Sequence, residues 1–147
     1  LIAFIAMVGF LNFLIALPQT KLLGSADPAT LQKFLGWLNA PFAWLLGIPW
    51  KDCQIVGSIL GERIILNEFV GYLHLAEVGD KIDPRSRTLA TYALCGFANI
   101  ASIAIQIGGI GSLAEGRRKD LSQLALRAML GGAMASWMTA TIAGMFL

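Results

Sequence analysis

Apolar residues in this chain fall into long uninterrupted stretches rather than short alternations. Counting between charged positions leaves uncharged runs at residues 1–20, 34–50, 88–114 and 128–147. A helix needs about 20 apolar residues to cross a hydrocarbon core roughly 30 Å thick. Residues 1–20 therefore predict a spanning helix, its Leu/Ile/Phe-rich part ending before Pro18. Residues 121–147 predict a second one, in which Gly131, Gly132, Ala133, Ala135 and Ser136 suit close helix packing. Residues 28–48 differ. Asp27 and Pro28 read as an N-cap and a first helical position. Beyond them Leu31, Phe34, Leu35, Leu38, Phe42, Leu45 and Leu46 recur every three or four residues, with Gln32, Lys33, Gly36 and Asn39 between them. That stripe, with Trp37 and Trp44, predicts an amphipathic helix lying in the membrane interface. The alternative is a spanning helix kinked at Pro41.

Residues 51–79 hold two short apolar arms around a polar centre, with Glu62, Arg63, Asn67 and Glu68 near the middle. Neither arm is long enough to cross alone. The pattern predicts a re-entrant hairpin with a non-helical tip, which is tolerated at membrane depth only where protein or a water-filled cavity satisfies its backbone. A single tilted helix is the alternative, at a cost of about 2.5–3.5 kcal/mol for each central charge. Asp83 and Pro84 repeat the Asp-Pro helix start. The segment 84–114 that follows is longer than one span needs. It carries Gly96, Asn99, Ser102, Gln106 and the glycines 108, 109 and 111, which predicts a discontinuous helix. No strand precedes those glycines and no Lys-Ser/Thr follows them, so a phosphate loop is rejected.

Composition narrows the class. The chain has 147 residues, 56% hydrophobic and 14% charged, with net charge +2 and mean hydropathy +0.69. Soluble domains carry about 25% charged residues, so these values point to the bilayer. They exclude disorder and leave no basic stripe for nucleic acid. Cys53 and Cys95 make neither a disulfide framework nor a zinc knuckle. The chain starts at Leu1 inside an apolar run without a basic leader, and reads as a piece of a longer polypeptide. No cofactor is expected. One histidine, with no metal-ligand spacing or nucleophile set, leaves no equipment for an enzyme.

Glu68 is the residue that most needs a reason, because an ionisable group in an apolar hairpin is a functional-site hypothesis by default. Its structural alternative is an ion pair with Arg63. Its functional options are to accept hydrogen bonds from vicinal hydroxyls or to exchange a proton. Asn99 and Ser102, three apart, put an amide and a hydroxyl on one side of a helix, with Gln106 extending it; hydrogen bonding between helices is the alternative. His74 and Cys95 read as packing residues.

Two strings stand out together: Gly-Glu-Arg-Ile-Ile-Leu-Asn-Glu-Phe-Val-Gly-Tyr at 61–72 and YALCGFANIASIAIQIGGIG at 92–111. They resemble the signature of the concentrative nucleoside transporters, Gly-x-Lys-x-x-x-Asn-Glu-Phe-Val-Ala followed by Gly-Phe-Ala-Asn-x-x-Ser. The stretch from Pro41 to Trp50 and the Pro84-Arg85-Ser86-Arg87 lead-in are similar too. Arg63 stands where that family usually has Lys, and Gly71 where it usually has Ala, a change expected to loosen the arm after the motif.

The resemblance covers the whole chain and implies the C-terminal portion of that family. It implies an all-α integral membrane fold, one half of an inverted-repeat transporter assembled as a homotrimer in the plasma membrane, the inner membrane in a bacterium. By motif position it implies ribose contacts from Glu68, Asn99 and Ser102, with Phe97 lining the site and Asn67 supporting the tip. The nucleobase contacts and the coupling site, for sodium or a proton, are expected in the missing N-terminal half. It also puts Arg117, Arg118 and Lys119 in the cytoplasm. Counting charges alone favours the opposite orientation, since Lys21, Lys33, Lys51, Lys81, Arg85 and Arg87 then lie outside. Two other functions fit the residues without the resemblance: a carrier of another polar solute using Glu68 as an ion or proton site, and a non-transporting membrane assembly subunit.

Overall fold

A computed structural model describes residues 2–22 and 29–147. Among these described residues seven helices follow in order: α1 Ile2–Leu22, α2 Leu31–Leu45, α3 Trp50–Ile65, α4 Glu68–Val78, α5 Pro84–Leu94, α6 Ile100–Leu113 and α7 Arg118–Gly144. Short 3₁₀ turns at Gly79–Lys81 and Glu115–Arg117 precede α5 and α7. The described residues contain no strand.

α1 continues through Pro18 to Leu22. Asn12, midway along it, anchors the next helix: its Nδ2 donates to Gln32 Oε1 at 2.8 Å, and its Oδ1 accepts from Leu31 N at 2.8 Å. The expected Asp27-Pro28 start of α2 lies outside the described residues. Within them Thr30 is the N-cap, its hydroxyl accepting from Lys33 N at 3.2 Å.

α2 and α3 form an antiparallel pair joined by a turn in which Gly47 takes φ +89°. Their contact is backbone on backbone. A Cβ on Gly57 would stand 2.6 Å from Gly36 O and 2.9 Å from Ala40 N. Small residues at four-residue spacing (Gly36 and Ala40 on α2; Gly57 and Gly61 on α3) permit this approach. The buried face of α2 is therefore Leu35, Gly36, Asn39, Ala40 and Ala43. The large residues of the amphipathic stripe mostly face out: Phe34, Trp37, Leu38, Phe42, Trp44 and Leu45 are exposed. Gly36 and Asn39, polar positions of that stripe, are the packing face.

The core gathers Val56, Ile59 and Leu60 of α3, Leu75 of α4, Leu89, Ala90, Ala93 and Leu94 of α5, and Ala140 of α7. Asp83 caps α5 by accepting from Arg85 N at 2.9 Å, with Pro84 at the first helical position. Buried Asp52 ties the base of α3 to the same place, accepting from Ser86 Oγ at 2.6 Å and from Asp83 N at 3.1 Å. Beside them, Arg85 donates to Gly144 O at 2.7 Å, a cation set on the carbonyl end of α7. Phe42 of α2 stacks near Trp137 of α7, ring centroids 5.3 Å apart.

Among the described residues no helix is long and apolar enough to cross a membrane. The physical reason is visible in α7. It has 27 residues, but Arg118, Lys119, Asp120 and Arg127 occupy its first part, and Gly131, Gly132, Ser136, Thr139 and Thr141 dilute the rest. α6, with 14 residues, is only about 21 Å long.

Candidate functional site

Two chain breaks define the site. The first separates α3 from α4 at Leu66 and Asn67. There Asn67 is extended, and its side chain caps α4 by accepting from Val70 N at 2.9 Å. The second separates α5 from α6 at residues 95–99. α6 itself runs without interruption through Gly108, Gly109 and Gly111, so the glycine cluster is not where the segment breaks. Asn99 caps α6, its Oδ1 accepting from Ser102 N at 2.8 Å. Ser102 Oγ closes the capping box, accepting from Asn99 N at 3.1 Å and donating to Asn99 O at 2.6 Å. An asparagine thus starts each helix beyond a break, because its short amide reaches the free N–H groups of the first turn.

The two starts converge. Glu68, the first residue of α4, accepts a hydrogen bond through Oε2 from Asn99 Nδ2 at 3.1 Å. A carboxylate here is held by an amide and by the positive ends of two helices. Glu68 and Asn67 are half-buried, Asn99 is 1% exposed and Ser102 2%. Four of the five residues singled out in the sequence therefore meet in one cluster. Phe97 approaches that cluster only beside Ser102. It is 53% exposed and lines, with Ser102 and Gln106, a cavity of about 270 Å³ between α6 and α7. Glu68 and Asn99 are not among that cavity's lining residues.

Arg63 does not pair with Glu68. Fully buried in α3, it donates through Nη2 to Gly96 O at 3.2 Å, inside the second break, and to Ser136 Oγ of α7 at 2.9 Å. Its Nε and Nη1 are buried without a hydrogen-bond partner. Gly96 allows this junction, because any side chain there would collide with Ser136 Oγ and Arg63 Nη2. Gly71 is not a loose point in the arm. It is buried, and the space of its missing side chain is taken by Leu94, whose Cδ2 would lie 2.7 Å from a Cβ. His74 is more than packing: its Nδ1 lies 2.8 Å from Glu62 Oε2 across the hairpin. Among the described residues no group of acidic, histidine or cysteine side chains is placed to hold a metal.

Taken together, these features define a class: an all-helical assembly in which two interrupted segments aim their helix starts at one polar point. The chain belongs to the family described as Na+ dependent nucleoside transporter C-terminus, whose model matches residues 1–144. It is 41% identical over 152 residues to the nucleoside permease NupC of Helicobacter pylori, covering 100% of this chain and 36% of that protein. It is 39% identical over 147 residues to the uncharacterized transporter YutK of Bacillus subtilis, with the same two coverages. Mouse sodium/nucleoside cotransporter 1 is 39% identical over 159 residues, 98% of this chain and 24% of that one. Among solved structures, that of CNTnw in an inward-facing substrate-bound state matches with a TM-score of 0.90 and 37% identity, over 99% of this chain and 36% of that chain. The chain thus spans about a third or less of the length of these relatives. They are named as transporters and permeases, not enzymes.

Proposed function

We propose that this chain is the C-terminal part of a secondary active nucleoside transporter and supplies the ribose side of its substrate site. The observation that carries the reading is the Glu68–Asn99 hydrogen bond of 3.1 Å joining the two helix breaks. A carboxylate accepts hydrogen bonds from two adjacent hydroxyls, and an amide both donates and accepts. A ribose with its 2′ and 3′ hydroxyls satisfies both groups when it parts them. Asn67 and Ser102 hold Glu68 and Asn99 in place through the two caps, with Ser102 next to the sugar. Phe97 forms a wall of the same site in the full-length transporter.

The bilayer placement draws on the outward-facing aromatics. Trp37, Trp44 and Trp50 are exposed while Gly36, Asn39, Gly57 and Ser58 are buried, the reverse of a water-soluble helix pair. In this reading α1 and the uncharged part of α7 lie across the membrane as members of a larger helix bundle rather than as free-standing apolar spans, α2 lies at its interface, and α3 with α4 enters and leaves on one side. The α5–α6 segment forms a broken span. Transport proceeds by alternating access, coupled to sodium or protons at a site in the N-terminal part of the full-length transporter, in a plasma-membrane homotrimer.

Uptake of uridine by proteoliposomes holding the full-length transporter tests this directly, with Glu68→Gln beside the native protein. Loss of a hydrogen bond to a charged group predicts uptake lower by about tenfold or more, with assembly unchanged. Native-like uptake by the variant defeats the ribose role. Uptake of uracil equal to that of uridine shifts the substrate class away from nucleosides.

A further inference from the structure

Between Cys53 and Ala76 the hairpin α3–α4 holds only four acidic or basic side chains: Glu62, Arg63, Glu68 and His74. Two are carboxylates and one is a guanidinium. The hairpin interior therefore carries one negative charge when His74 is neutral and none when it is protonated. Burying an unbalanced charge is expensive, and burying a hydrogen-bonded pair much less so.

The geometry assigns the extra proton a place. Glu62, with 8% of its side chain exposed, faces His74 across the two arms, Oε2 to Nδ1 at 2.8 Å. The ring is 26% exposed and opens onto a cleft shared with Gln32, Gln54 and Ser58, so a proton reaches it from solvent directly. Arg63 is turned the other way, toward Gly96 and Ser136, and Glu68 toward Asn99. Of the other charged groups around the pair, Lys33 of α2 lines the same cleft and Glu77 stands exposed one turn along α4. Arg87 of α5 pairs with Asp80 at the base of the hairpin.

We propose that Glu62 and His74 form a proton-binding site. One proton on the pair makes the hairpin neutral and clasps its arms just below Leu66 and Asn67, which fixes the tip that presents Glu68. Loss of that proton leaves only the hydrogen bond of a neutral ring in place of the ion pair, which loosens the arms and lowers the rate of nucleoside exchange. The proposal rests on the transporter reading above and deepens it with a regulating ligand.

The test is exchange of labelled uridine by preloaded proteoliposomes holding the full-length transporter, at equal pH on both faces, from about pH 5 to about pH 8, where a histidine changes charge. The native protein is expected to slow as pH rises, approaching about tenfold per pH unit once the pair has lost its proton. His74→Gln and Glu62→Gln should flatten that dependence. His74→Lys, which keeps the positive charge at every pH in this range, should be flat and fast. Three variants are used so that one failing to fold does not decide the matter; uridine binding by the purified protein identifies those that fold. A flat native profile, or a slope that persists in the folded variants, overturns the proposal. Native protein that exchanges no uridine at any pH removes the transport reading, and this proposal with it.

Discussion

Asn99 donates its side-chain amide to Glu68 at 3.1 Å, although 31 residues separate them. Each residue begins a helix that restarts after a break, so one hydrogen bond registers the hairpin tip against the interrupted segment. The same Asn99 also accepts from Ser102 N at 2.8 Å, so its oxygen fixes the helix while its nitrogen serves the carboxylate.

That division of labour separates stability from function. Asn99→Asp keeps an excellent N-cap but removes the amide donor and sets a second carboxylate beside Glu68. We expect the variant to assemble, with uridine uptake reduced by about tenfold or more. Uptake assays paired with size-exclusion profiles check this. A variant that keeps native uptake removes the Glu68–Asn99 contact from the mechanism.

Ser102 gives the complementary case. Its hydroxyl is engaged with Asn99 backbone atoms on both sides, at 2.6 and 3.1 Å. Ser102→Ala therefore loosens the cap by about 1 kcal/mol and should weaken uptake of uridine and of 2′,3′-dideoxyuridine alike. Competition assays with the two nucleosides discriminate: a loss confined to uridine means that the hydroxyl touches the ribose directly.

The sequence made the polar residues of the two breaks legible, because Asn67-Glu68 and Asn99 with Ser102 carry N-cap chemistry inside apolar runs. What it left unread on α2 was the face that packs against α3, for a physical reason. Where the surroundings are apolar, large residues need not face the core, and the packing face is chosen by small residues that let backbones touch. Gly36, Ala40 and Gly57 carried that signal, and hydrophobic periodicity hides it. Arg63 was misleading through proximity: Glu68 is five residues away in the chain, but the partners are Gly96 and Ser136, 33 and 73 residues on. The Glu62–His74 pair was within reach, since two facing helical arms around a tip at 66–67 set Glu62 opposite the second turn of α4.

Arg63 uses a single nitrogen for both of its hydrogen bonds, Nη2 to Gly96 O and to Ser136 Oγ. A lysine ammonium supplies that one point with three donors, and it does not bury the two unpartnered nitrogens. Arg63→Lys should therefore retain uptake within about threefold and match or raise thermal stability, each unpaired buried group costing about 1–3 kcal/mol. Arg63→Met frees Gly96 O and Ser136 Oγ and leaves Glu68 without a neighbouring cation, so uptake should fall well below that of the lysine variant. Thermal melts and uptake rates of the two substitutions check the difference. Equal behaviour shows that the charge at this position does nothing.

Two buried glycines of the hairpin predict opposite outcomes for the same change. At Gly57 a new Cβ meets Gly36 O at 2.6 Å and Ala40 N at 2.9 Å, both backbone atoms. α2 and α3 can relieve that only by separating along their whole contact, so Gly57→Ala should cost about 1–3 kcal/mol or more. At Gly71 the nearest atom is Leu94 Cδ2 at 2.7 Å, the far end of a flexible side chain. A rotamer change accommodates it, and alanine is the better helix former by roughly 0.8–1 kcal/mol. Gly71→Ala should be close to neutral. Thermal denaturation of the two variants in one detergent gives the comparison: a Gly57→Ala protein as stable as Gly71→Ala means that α2 and α3 are not locked by backbone contact.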